Sequence, residues 1–189
     1  MKRTVEISVE VSLDDPAAHV FQGVVARWFQ ARQALMAPGG EAAGNRLPAD
    51  RLFWTEQLPD FPGRLSILQP QGDGDFRYLI HAGATVDAGG ADMTGRLVSE
   101  FPYPDFRNAI LEFYQLVLER AAPVIWRFRH RWRDKMSDYF ILALPVTRLR
   151  DDRTAIHSIL VNTDPDRRTM YRARFLTGRS HLRPEDVKD

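Results

Sequence analysis

The most regular pattern in the chain lies between residues 124 and 133. Apolar and aromatic side chains alternate there with arginines, and only an extended strand separates two such sets onto opposite faces. The segment therefore predicts a strand with one aromatic face and one cationic face. The aromatic face comprises Val124, Trp126, Phe128, His130 and Trp132, and the cationic face comprises Ile125, Arg127, Arg129, Arg131 and Arg133.

Shorter patterns predict the rest of a sheet. The aromatic strand is followed by a turn over 135–137, a buried strand over 138–147, a turn over 150–153 and a strand over 154–161. Short turns make consecutive strands antiparallel neighbours. Upstream, strands over 64–69 and 76–82 flank a turn at 71–75 that is rich in glycine and aspartate, which predicts a hairpin.

The N-terminal region predicts one strand and one helix. Apolar residues occupy every second position from Val5 to Leu13, which predicts a strand with one dry face. After an Asp-Asp-Pro start signal, a helix is expected over 16–36. Its apolar stripe comprises Phe21, Val24, Val25, Trp28, Ala31 and Leu35.

The central region predicts one long helix over 105–122. Pro102 and Pro104 open it, and Pro123 limits its end. Its buried face comprises Phe106, Ala109, Ile110, Phe113, Tyr114 and Val117. Residues 83–101 are rich in glycine and predict short helical turns, and residues 46–63 predict an irregular segment with a short helix around 50–57.

Composition divides the chain into three parts. The glycine- and alanine-rich stretch 37–45 predicts a boundary, so residues 1–45 are expected to form a cap or a dimer contact. Residues 46–163 are expected to form the main domain. Residues 164–189 are polar and arginine-rich, which predicts a loosely held tail with one short helix around 166–175.

Several local sequences resemble a bacterial PAS-like family found mostly in proteobacteria. They are GDGDFRY at 72–78, Gly83 and ADMTGR at 91–96, with RWF at 27–29 and LPAD at 47–50 upstream. The resemblance covers residues 65–163 and extends upstream to residue 20. It implies a PAS fold, in which two strands precede a group of helices and three strands follow. The predicted fold class is therefore α+β, a five-stranded antiparallel sheet with short helices, one long helix and an N-terminal strand–helix extension.

The resemblance also implies a function. PAS domains are sensory or interaction domains rather than enzymes, and they hold a small ligand between the sheet and the long helix or dimerise through flanking helices. In this chain, the corresponding cavity is expected to be lined by Tyr78, Ile80, Ile110, Tyr114, Trp126, Phe128, His130 and Phe140. Ligand binding would alter the contacts that the N-terminal helix or the tail makes with a partner. The expected partners are a second copy of the chain, in a homodimer, and an unidentified signalling protein. Trp28 is the expected contact on the N-terminal helix.

Residue types limit the possible cofactors. The chain has no cysteine, which excludes thiol-linked chromophores and thiolate metal sites. Haem-binding PAS domains usually place a histidine on or near the long helix, whereas residues 101–122 contain none, so haem is not expected despite His81 and His130. No histidine spacing indicates a metal site, and no catalytic constellation is apparent. We therefore expect a non-enzymatic protein with a small organic ligand of unknown identity.

The cationic strand face leaves three interpretations open. Arg127, Arg129, Arg131 and Arg133 could form an exposed face paired with acidic residues, dock an acidic partner, or contact nucleic acid. Against nucleic acid stands the near-neutral composition, with 26 Lys and Arg against 25 Asp and Glu. No apolar run is long enough to cross a bilayer and no signal peptide is visible, so a cytoplasmic protein is expected.

Overall fold

The computed structural model describes residues 3–36, 47–89, 92–132 and 135–162. Within these ranges the strands are β1 (Arg3–Glu10), β2 (Leu65–Pro70), β3 (Phe76–Ile80), β4 (Val124–Trp132), β5 (Lys135–Thr147) and β6 (Thr154–Asn162). The α-helices are α1 (Gln22–Met36), α2 (Gly83–Gly89) and α3 (Pro104–Arg120). Short 3₁₀ helices lie at His19–Phe21, Asp50–Phe53, Thr55–Gln57 and Val98–Glu100. The predicted boundary at 37–45 and the predicted tail helix fall outside the described residues.

All six strands form one antiparallel sheet in the order β1-β4-β5-β6-β2-β3. The predicted α+β class with an antiparallel sheet is confirmed. The predicted number of five strands is wrong, because β1 pairs with β4 and becomes the sixth, outermost strand. A β-strand readily adds to an open edge, because the edge carries unpaired backbone groups.

The sheet separates two hydrophobic cores. One core lies on the face against which α3 packs, called the α3 face here, and includes Phe113, Val117, Trp126, Phe128, Tyr139 and Ile156. The other lies on the α1 face, where α1 and the segment 47–61 cover the sheet, and includes Val24, Val25, Phe53, Phe61, Leu142 and Ile159. Trp28 ties α1 to the sheet, since its Nε1 donates to the carbonyl of Pro145 at 2.8 Å.

The apolar residues of the first strand do not share one face. Val5 packs with the α3-face core, whereas Val11 and Leu13 pack with the α1-face core. The register between β1 and β4 shifts between Val5 and Ile7, and one extra residue inverts the alternation of a strand. The prediction of a single dry face is therefore wrong, and Val9 is 48% exposed.

Two predicted boundaries also move. The turn expected at 135–137 is strand, because β5 begins at Lys135 opposite Trp132. The helix expected over 16–36 begins at Gln22, after a 3₁₀ turn at His19–Phe21. The long helix agrees with its prediction within two residues, and it ends where Ala121 adopts a left-handed conformation with a φ of 46°. Among the helices in the described ranges, none combines the length and apolar character that a membrane span requires.

Candidate functional site

Five of the eight predicted ligand residues come together on the α3 face. Tyr78, Ile110, Tyr114, Trp126 and Phe128 all belong to the same buried core. Their rings are closely packed through the neighbouring Phe113, whose centroid lies 4.9 Å from that of Tyr114 and 5.6 Å from that of Trp126. The alternation of β4 and the helical spacing of α3 thus predict residues that share one buried region in the fold.

The other three predicted residues do not join this group. Ile80 lies at the end of β3 and is 43% exposed. Phe140 is buried on the α1 face, where the guanidinium of Arg127 lies 5.6 Å from its ring centroid. The expectation that Phe140 lies between α3 and the sheet is therefore wrong. The strand register explains why: Phe140 pairs with Arg127, whereas Tyr139 pairs with Phe128. Paired residues share a face, so β5 presents Tyr139 to α3 instead. The side chain of His130 lies outside those described.

Three hydroxyl groups meet within the otherwise apolar α3-face core. Tyr114 Oη and Ser158 Oγ lie 3.1 Å apart, and the phenol of Tyr78 lies close enough to affect the pKa of Tyr114. These three residues, called the hydroxyl cluster here, are each at most 4% exposed. Each hydroxyl donates one hydrogen and accepts two, so the bond between Tyr114 and Ser158 leaves further hydrogen-bonding capacity in a dry environment.

Burial controls the ionisation of the two phenols. Desolvation raises the pKa of Tyr114. Desolvation also raises the pKa of Tyr78 well above its ordinary value, and the nearby Tyr114 raises it further. A phenolate is costly in such dry surroundings. Both phenols therefore remain protonated at physiological pH and serve as neutral hydrogen-bonding groups.

Ser158 was not among the residues predicted from the sequence to line this region. It lies on β6 between Ile156 and Leu160, which belong to the α3-face core. A serine between two inward-facing aliphatic residues on a buried strand was the available signal, because a core position rarely carries a polar group without a partner. The partner, Tyr114, is 44 positions away in sequence, and only the fold brings the two together.

Residues 92–96, the described part of the motif ADMTGR, close the outer edge of β3. Asp92 Oδ1 accepts the N–H of Thr94 at 2.9 Å, which lowers the pKa of Asp92. Gly95 has a φ of 79°, donates its N–H to the carbonyl of Tyr78, and accepts from Arg77 Nη1. The Asp-x-Thr-Gly spacing thus builds a turn that caps an otherwise open strand. Its position beside Tyr78 also supports one wall of the α3-face core.

The cationic face of β4 carries acidic partners. Arg127 and Arg129 both donate to the carboxylate of Asp138, and Arg131 Nε donates to Glu6 Oε1 at 2.9 Å. Burial alone would raise the pKa of Asp138, but the two guanidiniums outweigh burial and lower it. The three described arginines thus face two carboxylates, which removes most of the positive charge that nucleic acid would require. Arg133 lies outside the described residues.

Trp28 does not lie on an exposed surface. It is 2% exposed, and its indole N–H is already bonded to Pro145. Its neighbour Phe29 is 52% exposed and points away from the core, as does Met36 at the end of α1 with 64% exposed. Trp28 and Phe29 thus point in different directions, because adjacent residues on a helix differ by about 100° in direction.

The described part of the chain contains no candidate metal site. Across 3–36, 47–89, 92–132 and 135–162, no three side chains among histidine, cysteine, aspartate and glutamate come together as a candidate site. The α3-face core, with its hydroxyl cluster, is the region that brings together five of the eight predicted ligand residues.

Two comparisons with known proteins give no assignment. A scan of the sequence against protein-family models finds no matching family. A search of curated proteins likewise finds no matching protein. A functional proposal for this chain consequently rests on the geometry of its own residues.

Proposed function

We propose that this protein is a non-enzymatic sensory domain of PAS type that binds a small organic ligand between α3 and the sheet. The observation that carries the proposal is the hydroxyl cluster, which concentrates hydrogen-bonding groups inside an aromatic core. Small-molecule sites are mostly apolar and aromatic with a few convergent polar groups, and this region has that composition. A cytoplasmic location is part of the proposal, consistent with a chain that contains no cysteine.

The arrangement of the strands supports a PAS-type domain. β2 and β3 precede the helical segment, β4 to β6 follow it, and these five strands are neighbours in the sheet. The segment between them contains α2, a 3₁₀ turn and the long α3. This matches the order that the resemblance in the local motifs implies, with β1 as an addition at one edge.

A ligand beneath α3 has a route to the N-terminal elements. Arg120 at the end of α3 is paired with Glu10 at the end of β1, and Trp126 Nε1 donates to Ser8 Oγ at 2.9 Å. A displacement of α3 by a ligand therefore acts on β1, which leads directly into the turn before α1. In our proposal this link carries the signal outward.

Ligand binding can be tested on purified protein. Native mass spectrometry, followed by the same measurement after denaturation, is expected to reveal a molecule that is released on unfolding. A fragment screen by ligand-observed NMR extends the test to weak binders. We expect Tyr114→Phe with Ser158→Ala to lose binding, whereas Tyr103→Phe, a tyrosine outside the hydroxyl cluster, keeps it. If no molecule binds the protein, or the double variant binds equally well, the ligand proposal is wrong.

The same proposal includes a homodimer formed through α1. Five exposed residues of this helix follow a 4-3-4-3 spacing, and none is charged: Gln22, Ala26, Phe29, Gln33 and Met36. Such spacing places them along one seam, and helices that pair in a coiled coil contact each other through residues with the same spacing. A second copy of the chain provides an identical uncharged seam, so pairing around a two-fold axis brings no like charges together.

Sedimentation or light scattering over a concentration range tests the dimer. Phe29→Glu is expected to shift the protein to monomer, because it places a carboxylate at the centre of the seam. Ala34→Glu is the matched control, since Ala34 is an exposed residue of α1 that lies off the seam. A wild-type protein that stays monomeric at high concentration, or equal behaviour of the two variants, would exclude this interface.

A further inference from the structure

A buried histidine holds the turn that covers the outer edge of β3. His81 directly follows β3, and its side chain is completely buried. Its ring Nδ1 accepts the backbone N–H of Met93 at 3.1 Å, and its own backbone N–H donates to Thr94 Oγ1, also at 3.1 Å. Because Nδ1 accepts in this bond, it carries no hydrogen, and the hydrogen of the neutral ring lies on Nε2. Both the side chain and the backbone of His81 therefore hold the turn 92–96.

The same turn holds the backbone of Tyr78. The N–H of Tyr78 donates to the carbonyl of Arg96 at 3.0 Å, and the carbonyl of Tyr78 accepts the N–H of Gly95 at 2.7 Å. The imidazole of His81 also packs against the ring of Tyr78, with centroids 4.5 Å apart. If the turn moves away, β3 becomes an open edge strand, and this member of the hydroxyl cluster loses two backbone hydrogen bonds.

Protonation of the His81 ring removes its bond to Met93. The added proton occupies Nδ1, which then has no lone pair with which to accept the Met93 N–H. Two N–H groups would instead face each other across the 3.1 Å that separates the two nitrogen atoms. A cation is also less stable in a buried position than in water, so the protonated ring favours a turn that opens to solvent.

The groups around the imidazole compensate the added charge only in part. Asp92 Oδ1 lies 3.9 Å from Nδ1, but the Asp92 side chain is 65% exposed, and water weakens the attraction of an exposed ion pair. The same carboxylate accepts the N–H of Thr94 and is influenced by the charge of Arg96. Among the described residues, the rings of Tyr78 and Phe101 also pack against the imidazole, and both are uncharged. Asp92 therefore moderates the effect of protonation without cancelling it.

His157 on β6 shows why the role of the ring nitrogen matters. None of its surface is exposed, and its Nδ1 lies 3.2 Å from the carbonyl oxygen of Phe53. A carbonyl oxygen only accepts, so this Nδ1 carries a hydrogen in the neutral ring as well as in the protonated ring. Protonation of His157 leaves that bond in place, whereas protonation of His81 removes the bond to Met93.

We propose that His81 is a pH-sensitive switch that controls the turn 92–96 over the edge of β3. The neutral ring holds the turn closed through Met93, and the protonated ring releases Met93 and favours an open turn. Opening exposes the edge of β3 and frees both backbone groups of Tyr78. The switch acts on the turn and the backbone, so it does not depend on the sensory ligand proposed above.

Amide hydrogen exchange measured by NMR at pH 7.5 and pH 5 tests the switch in the intact protein. Solvated histidines titrate near pH 6.5, so these two values lie on either side of the expected change. After correction for intrinsic exchange rates, we expect the protection of the Met93, Gly95 and Tyr78 amides to fall by about tenfold or more at pH 5. It should stay below the protection of the amides in β5, which report global unfolding, because the turn opens without unfolding of the sheet.

Three variants relate the change to the named residues. His81→Asn places a carboxamide oxygen where Nδ1 lies and cannot titrate, so the protection of the Met93 amide should change by less than about twofold between the two pH values. Asp92→Asn keeps an oxygen for Thr94 but removes the charge near the ring, and it should enlarge the wild-type loss by about twofold. His19→Asn removes an exposed histidine of the N-terminal 3₁₀ turn and serves as the control with the full wild-type loss. Circular dichroism and urea unfolding verify that each variant is folded.

Several results would overturn the proposal. One is equal protection of the turn amides in the wild type at both pH values. Another is protection that matches the β5 amides at both pH values, which would mean that the turn opens only when the whole protein unfolds. A third is a folded His81→Asn variant that loses protection as the wild type does. A ¹⁵N NMR spectrum at pH 7.5 that places the hydrogen of the His81 ring on Nδ1 would also refute it.

Discussion

The buried imidazole of His157 leads to a specific prediction about acid stability. Burial is the main cause of its low pKa; the hydrogen bond to Phe53 and the charge of Asp50 oppose that effect without overcoming it. In the unfolded chain the same ring has an ordinary pKa of 6.5, against about 4 in the folded protein. Below 6.5 the unfolded state therefore takes up a proton that the folded state does not, and acid favours unfolding.

The size of this effect follows from the two pKa values. Each pKa unit corresponds to about 1.4 kcal/mol, so the difference between 6.5 and about 4 amounts to about 3 kcal/mol. This contribution is fully present above pH 6.5, decreases as the pH falls toward 4, and changes no further below that. A loss of about 3 kcal/mol is a large part of the 5–15 kcal/mol that is typical of a folded domain.

Urea unfolding of the wild type and His157→Asn at a series of pH values between 7 and 4 measures the effect. Asparagine cannot titrate and keeps a donor toward Phe53, so the difference between the two proteins isolates the imidazole. We expect the wild type to lose about 3 kcal/mol more than the variant across this range. Parallel pH dependence in the two proteins, or an NMR titration that places His157 near pH 6.5, would refute the reasoning.

Three further predictions concern the other described regions. Gly95→Ala should lower the free energy of unfolding by about 1 kcal/mol, because φ is 79° there while a Cβ would meet nothing within 4 Å. Gly72→Ala, at an open position without a positive φ, should change it by less than about half as much in the same urea assay. Tyr114→Phe should lower the free energy of unfolding by about 1 kcal/mol, because it leaves Ser158 without its partner. Adding Ser158→Ala should recover part of that loss in a double-mutant cycle, and strictly additive effects would contradict the hydrogen bond. Asp138→Asn should lower the free energy of unfolding at neutral pH by about 1 kcal/mol and should reduce the loss of stability below pH 4. The reason is that the lowered pKa of this carboxyl adds stability that disappears as acid protonates it. If the stability below pH 4 falls equally in the variant and the wild type, the ion pairs do not contribute as described.

Much of the local structure could be predicted because its causes are local. The alternation in β4 defines a strand with two distinct faces, and the structure places Trp126 and Phe128 in the core and Arg127 and Arg129 opposite them. The spacing in α3 likewise predicts its buried face. In each case the neighbouring residues along the chain contain the whole signal, since side-chain direction repeats with a known period.

The candidate site could be predicted only in part. Residues of β5 from Tyr139 to Val146 are buried on both faces, so no polar alternation indicates which of them point toward α3. The register with β4 decides the matter and turns Phe140 toward the α1 face. The same holds for the hydroxyl cluster and for His157, whose neighbours come from segments far apart in the sequence.

The sequence by itself determined the α+β fold class, most of the strands and helices, and the residues of α3 and β4 that form one core. Tertiary structure decided that β1 is a sixth strand and that Phe29 rather than Trp28 is exposed on α1. It also decided that Val5 packs on the α3 face, whereas Val11 and Leu13, which follow β1, pack on the α1 face. The physical reason is the range of the interactions. Periodicity reports the direction of a side chain relative to its own backbone, whereas register and packing depend on contacts that only the folded chain makes.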